Sequence, residues 1–227
     1  MSSIKIGANN QSQDSTYFIA IYGGSFDPPH LAHLEILKIL NNNSLCLQTI
    51  LLPNYQNPLK SKSLFSPNER LKMCEILAQI SGDKTIISDY EIRQNRPTHT
   101  ITSIRALQKQ ISSFLDSNQL DSNPPDSNSQ AKLCFVLGSD SFETLHLWKD
   151  SQSLCDLVEF IVVKRESSTI THPQNLTPKV RTSINLSHFN AISSSKVREL
   201  LHKGEINKAL KMLPAEIFPF IHAHFQL

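Results

Sequence analysis

Short apolar runs alternate along this chain with stretches in which apolar residues recur at helical spacing. The run Tyr17 to Tyr22 ends at Gly23 and Gly24. Asp27, Pro28 and Pro29 then lead into an apolar-periodic segment from Leu31 to Leu40, which reads as strand, turn and helix. The alternation recurs. A strand at Thr49 to Leu52 precedes a helix near Glu69 to Ile80, and a strand at Thr85 to Ile92 precedes a helix near Thr98 to Ile111. Strands near Lys132 to Leu137 and Glu159 to Val163 continue the series. Strands alternating with helices imply right-handed crossovers and a mostly parallel sheet covered on both faces, a doubly wound α/β fold. From Ser193 the chain turns helical. Ser193 to Lys203 ends at Gly204 as a C-terminal cap, Glu205 to Leu213 stops before Pro214, and an amphipathic stretch from Ala215 to Phe225 follows.

Two segments interrupt the rhythm. Residues 1–16 are polar, and between Asp116 and Asn128 the tripeptide Asp-Ser-Asn appears three times at a spacing of five. The second segment reads as a low-complexity surface loop inserted in one domain (17–227), because the strand and helix pattern resumes directly after it and a longer loop adds little closure entropy.

Composition narrows the chemistry. Lys and Arg number 22 against 20 Asp and Glu, a formal net charge of +2, too small for a nucleic-acid surface, so any phosphate recognition is local. Cys46, Cys74, Cys134 and Cys155 lie far apart with no CxxC pair, and the expectation is buried reduced thiols. The polar first residues lack the apolar core of a signal peptide and no stretch is long enough to span a membrane, so a cytoplasmic protein is expected.

The densest candidate chemistry is Gly23-Gly24-Ser25-Phe26-Asp27-Pro28-Pro29-His30-Leu31-Ala32-His33, where the first strand feeds the first helix. In an open parallel sheet, ligands bind beyond the carboxyl ends of the strands, near the point where strand order reverses. Glycines there let amides approach a phosphate, a helix N-terminus adds partial positive charge, and two histidines three apart supply donors on one helix face. Such a set can stabilise charge on an α-phosphate under attack. Two bland readings stand beside it: a strand-ending turn, or part of a metal site lacking a third ligand. No Gly-Lys-Ser/Thr follows, so it is not a Walker loop. Ile192-Ser193-Ser194-Ser195-Lys196-Val197-Arg198 opens a late helix, where serines cap and offer donors to phosphate while Arg198 brings a fixed charge; alone it reads equally as an ordinary cap with a solvated arginine.

The first segment resembles the GGxFDPxHxGH signature of bacterial nicotinate mononucleotide adenylyltransferases, members of the nucleotidyltransferase superfamily with an (H/T)xGH motif. Ala32 stands where that family usually has glycine. The second resembles the family's ISSTxIR motif. Between them PNYQNPLK (Pro53 to Lys60) is similar to a loop ending in proline-proline-histidine-lysine, with Leu59 in the histidine position, and Arg70 and Met73 fall where the family has arginine and methionine. Thr98 stands in the place of a serine that meets the pyridine nucleotide, though it reads equally as a helix N-cap. Gly138-Ser139-Asp140 with Leu145 and Trp148 resembles the GxD…L…W pattern, followed here by Lys149. Lys164-Arg165 resembles an arginine-proline-glycine turn, with a charged strand end as the alternative. Leu213-Pro214 and Ile217 to His222 resemble the closing scaffold helix.

The resemblance implies a Rossmann-like nucleotidyltransferase with a helical C-terminal part (193–227) that joins the AMP part of ATP to nicotinic acid mononucleotide, a step of NAD biosynthesis. It implies His30, His33 and Arg198 as catalytic residues, and Gly23, Gly24, Ser25, Phe26, Gly138, Asp140, Arg165, Ile192, Ser193, Ser194 and Ser195 around ATP. Asn57, Lys60, Thr98 and Trp148 would meet the mononucleotide. Mg²⁺ would be held through substrate phosphates, with no protein metal site, no nucleic acid and no membrane partner. The alternatives are an enzyme using nicotinamide mononucleotide, one making another nucleotide-linked coenzyme such as dephospho-coenzyme A, and a weakly catalytic nucleotide sensor.

Overall fold

The computed structural model describes residues 16–56, 63–117, 131–164 and 170–226. Its organising element is β1 (Phe18–Gly24), whose successive side chains enter two different cores. Phe18, Ala20 and Tyr22 join one apolar cluster, and Ile19 and Ile21 join another. A strand buried on both faces has no polar side to alternate with, which is why the sequence is apolar without interruption there.

Around β1 lie β2 (Cys46–Pro53), β3 (Thr85–Ile87), β4 (Lys132–Gly138), β5 (Glu159–Lys164) and β6 (Val180–Asn185), in the order β3-β2-β1-β4-β5-β6. Every pairing among them is parallel. The chain therefore winds outward from β1 to β3, returns to place β4 beside β1, and winds outward again to β6. This is the expected doubly wound fold, with its reversal between β1 and β4.

Helices α1 (Leu31–Asn41) and α2 (Pro67–Ser81) cover one face, packing Ile36, Leu37, Met73 and Leu77 into the first core. The C-terminal helices α7 (Ser194–His202), α8 (Ile206–Leu210) and α9 (Phe218–Phe225) extend that core through Val197, Leu201, Ala209 and Ile221. The other face is covered by α4 (Thr100–Ser117), whose Ile101, Ile104 and Leu107 recur at helical spacing, and by the short α5 (Ser139–Glu143) and α6 (Ser151–Leu157). No helix among the described residues is long and apolar enough to cross a membrane. All four cysteines are free thiols, three of them buried.

Several boundaries differ from the sequence expectation. The strand expected over Thr85 to Ile92 stops at Ile87, and Tyr90–Arg93 forms α3, which turns Ile92 into the core. Helix α2 starts at Pro67 rather than Glu69 because Ser66 and Glu69 cap each other, the Ser66 Oγ accepting from the Glu69 amide and Glu69 Oε2 from the Ser66 amide. Thr98 does not cap α4. His99 O accepts from the amides of Thr102 and Ser103, while Thr98 Oγ1 donates to Arg96 O. The first Asp-Ser of the Asp-Ser-Asn segment is the tail of α4; residues 118–130, like 1–15, lie outside the described residues. The segment from Glu205 to Leu213 is helical only over α8, and the last one divides into a 3-10 turn (Ala215–Ile217) and α9.

Strand β6 was missed because it is an edge strand with only Ile184 buried, so it has no apolar run to read. Arg181 ties it in. Its Nη1 lies 3.0 Å from Glu159 Oε2 at the head of β5, and its guanidinium sits 4.7 Å over the Phe18 ring.

Candidate active site

The parallel register brings the carboxyl ends of the central strands level, Gly24 opposite Pro53 and Gly138 opposite Val163. The loop from β1 to α1 leaves at this edge, next to the reversal of strand order. Its two glycines answer to aromatic rings. A Cβ on Gly23 would stand 3.1 Å from Phe135 Cζ, a contact the ring must give way to, and one on Gly24 would stand 2.9 Å from Phe26 Cζ, closer than packed carbons tolerate. Phe26 itself has φ 48, a left-handed conformation that costs a non-glycine residue roughly 1–3 kcal/mol. Burial holds it there: the ring is 2% exposed and meets Tyr22 and His33 edge-on, with centroids 5.4 and 5.0 Å apart. The Phe26 side chain is thus core beneath the loop, and only its backbone is available to a nucleotide.

His30 and His33 come together by a route the helical spacing did not describe. His30 precedes the helix, with extended φ −144 and ψ 174, and its carbonyl accepts from the amides of His33 and Leu34. The imidazoles stack with centroids 3.6 Å apart and 15° between planes. His30 is buried and His33 half-buried. The His30 amide donates to His33 Nδ1 at 3.2 Å, so a neutral His33 carries its proton on Nε2, as a hydrogen-bond donor.

Helix α7 docks on the same loop. Ser193 caps the helix by accepting from the Lys196 amide, and Ser194 Oγ donates to Pro28 O at 2.9 Å. Arg198 Nη1 donates to Asp27 O at 2.6 Å and lies 3.5 Å from Asp27 Oδ2, and its Nη2 donates to Ser195 Oγ at 3.2 Å. Asp27 is buried and accepts from the amides of Leu64 and Phe65, each at 2.9 Å. Arg198 is therefore aimed by a carboxylate and a serine rather than left in solvent, with the rest of its fork of N–H donors able to meet phosphate. Ser25, His30, His33, Ser194, Ser195 and Arg198 are thereby gathered around one loop, with Ile192 just before α7.

The other predicted residues among those described come from β4, α5 and the approaches to α4 and α6. Gly138 ends β4, and a Cβ there would meet nothing within 4 Å, which leaves its backbone open to a ligand. Asp140, in the first turn of α5, is exposed, and its carbonyl accepts from Thr144 Oγ1. Trp148 is half-buried and edge-on to Phe135, the ring that covers Gly23. Thr98, at the approach to α4, and Asp140 make no hydrogen bond to the loop among the described residues. Asn57, Lys60 and Arg165 lie outside the described residues. Sequence reasoning gave no role to Asp27 or Arg70. Both lie inside the quoted motifs, but only the fold shows that they are buried, at 4% and 0% exposure.

A doubly wound sheet with a histidine pair at its first turn, clasped by a serine- and arginine-bearing helix, is the architecture of an α/β nucleotidyltransferase, and the family described as cytidylyltransferase-like matches residues 21–200. A probable nicotinate-nucleotide adenylyltransferase of Helicobacter hepaticus is 40% identical over 231 residues, covering 94% of this chain and 99% of the relative. One of Campylobacter jejuni is 34% identical, covering 85% and 92%. In fold the chain is similar to the Plasmodium falciparum nicotinic acid mononucleotide adenylyltransferase complexed with NaAD, with a TM-score of 0.68 at 24% identity over 93% of this chain and 97% of that one. The chain belongs to the nicotinate-nucleotide adenylyltransferase family.

Proposed function

We propose that the protein transfers AMP from ATP to nicotinic acid mononucleotide, giving nicotinic acid adenine dinucleotide and pyrophosphate, within NAD biosynthesis. The observation that carries this reading is the stacked His30–His33 pair beside the Asp27-anchored Arg198, at the carboxyl end of β1. These are phosphate-facing donors. An acceptor phosphate oxygen forms the new bond to the α-phosphorus, the bond to the β-phosphate bridge breaks, and pyrophosphate leaves with those electrons. His33 Nε2–H stabilises charge on the α-phosphate and Arg198 holds the β and γ phosphates, while Ser194 keeps α7 against the loop and Ser195 accepts from the Arg198 guanidinium. The names of the relatives point to the acid form of the mononucleotide as acceptor. Thr98 and Trp148 would meet it, with Asn57 and Lys60 from the PNYQNPLK segment.

The donors at the loop are imidazole, guanidinium, hydroxyl and amide, a set that fits a metal carried in on phosphate oxygens. Mg²⁺ bound to the triphosphate would screen the charge of the leaving pyrophosphate. A reducing cytoplasm fits the free, mostly buried thiols. The test is pyrophosphate release from MgATP with nicotinic acid mononucleotide, nicotinamide mononucleotide, phosphopantetheine and glycerol phosphate. The acid mononucleotide is expected to be the best acceptor, and faster turnover with another acceptor would overturn the reading.

A further inference from the structure

The fully buried Arg70 of α2 donates to main-chain carbonyls of three separate segments, and its Nη1 also reaches Asn54 Oδ1 at 3.5 Å. Nη1 donates to Ser25 O and Asn54 O, both at 2.7 Å, Nη2 to Tyr55 O at 2.6 Å, and Nε to Phe65 O at 3.3 Å. Ser25 belongs to the loop after β1, Asn54 and Tyr55 to the chain leaving β2, and Phe65 to the approach to α2. Asn54 completes the tie. Its amide donates to Gly24 O at 2.9 Å and its Nδ2 to Ser25 Oγ at 3.2 Å. Asp27 then binds the Leu64 and Phe65 amides and Arg198.

Burial weakens the charged form of Arg70, and the negative charge of Asp27 offsets part of that cost. A purely structural filler at this position would avoid the cost with an apolar side chain. What a guanidinium supplies instead is a rigid planar fork that reaches several carbonyls at set angles, which an ammonium cannot reproduce.

We propose that Arg70 and Asn54 form a crossbar fixing the spacing between the loop that handles the nucleotide and the chain leaving β2 toward the acceptor. Both are positioning residues for the transfer step, and neither touches substrate through the bonds described. The inference rests on the functional reading above, because it assigns the two sides of the crossbar to the two substrates. In-line attack depends on the separation of the reacting atoms, and a misplacement of about 1 Å can cost on the order of a hundredfold in rate. Binding of either substrate alone does not need that separation.

The experiment compares wild type, Arg70→Lys and Asn54→Ala for kcat, for both KM values, and for the Kd of MgATP alone by calorimetry, with folding checked by circular dichroism. Arg70→Lys is expected to lose about ten- to a hundredfold in kcat and Asn54→Ala roughly three- to tenfold, with MgATP binding within about threefold of wild type. Wild-type kcat in either variant, or a loss confined to one KM, overturns the crossbar. If Arg70→Lys fails to fold, Asn54→Ala decides, since Asn54 is only half-buried. A wild-type protein that releases no pyrophosphate with any acceptor would sink the functional reading and this inference with it, whereas an active wild type beside an unimpaired Asn54→Ala sinks the inference alone.

Discussion

Glu91 offers a test of the packing between α3 and α4. It lies in α3 at 6% exposure, and its Oε1 accepts from the Oγ of Ser103, a fully buried residue in the first turns of α4. Burial pushes its carboxyl up from 4.5 to about 7, against the opposing pull of the Ser103 hydroxyl. A folded-state value above the unfolded one means that the native protein binds this proton more tightly. The stability so gained is complete below pH 4.5, falls as the pH rises toward 7, and is lost above it. The interval corresponds to about 3 kcal/mol, at roughly 1.4 kcal/mol for each pH unit. Glu91→Gln keeps the shape and the acceptor oxygen and removes the titration. Urea and thermal unfolding of both proteins at pH 4.5, 6, 7 and 8.5 should therefore show equal stability at the acid end. At pH 8.5 the variant should be the more stable by up to about 3 kcal/mol, roughly 6–12 °C in Tm for a chain of this size. Background titrations are common to both proteins and cancel in the difference. Parallel stability curves would refute the reasoning and show Glu91 to be ionised and solvated in the folded state.

His33→Ala should remove about 10²–10³ in kcat, the usual cost of one transition-state donor, with a native circular-dichroism spectrum; retention of more than roughly a third of wild-type turnover would exclude the assigned role. Gly24→Ala forces a methyl to 2.9 Å from Phe26 Cζ while Phe26 is braced by Tyr22 and His33. A stability loss of about 1–3 kcal/mol is expected, read by thermal unfolding together with lower turnover, and an unchanged Tm and kcat would show that the ring yields. Arg198→Lys keeps charge but gives up the fork set by Asp27 and Ser195. kcat/KM for ATP should fall about ten- to a hundred-and-fiftyfold with acceptor KM little changed in steady-state kinetics, and a defect in the acceptor term alone would reassign the residue.

What was legible in the sequence follows from where the information is local. β1, α1, β4 and β5 were readable because burial on both faces writes an apolar run and burial on one helix face writes a 3.6-residue period. β6 and α3 were not. An edge strand with a single buried residue leaves no such trace, and the four-residue α3 completes barely one helical period, so no repeat announces it.

The site divides in the same way. His30, His33, Ser194 and Arg198 sit in compact motifs and could be picked out by residue type and spacing. The residues that aim them act over separations of 16 to 171 positions, as in Arg70 with Asn54 and Arg198 with Asp27. Within the same motif Phe26 turns its ring into the core beside His33 and leaves its backbone at the loop. The glycine before it is demanded by that ring, so one local pattern encodes two layers: donors at the surface of the loop and the packing that holds their angles. Motif identity alone therefore describes the outer layer, while the inner layer of buried charge and aromatic contact, Arg70, Asp27 and Phe26, is assembled only by the fold.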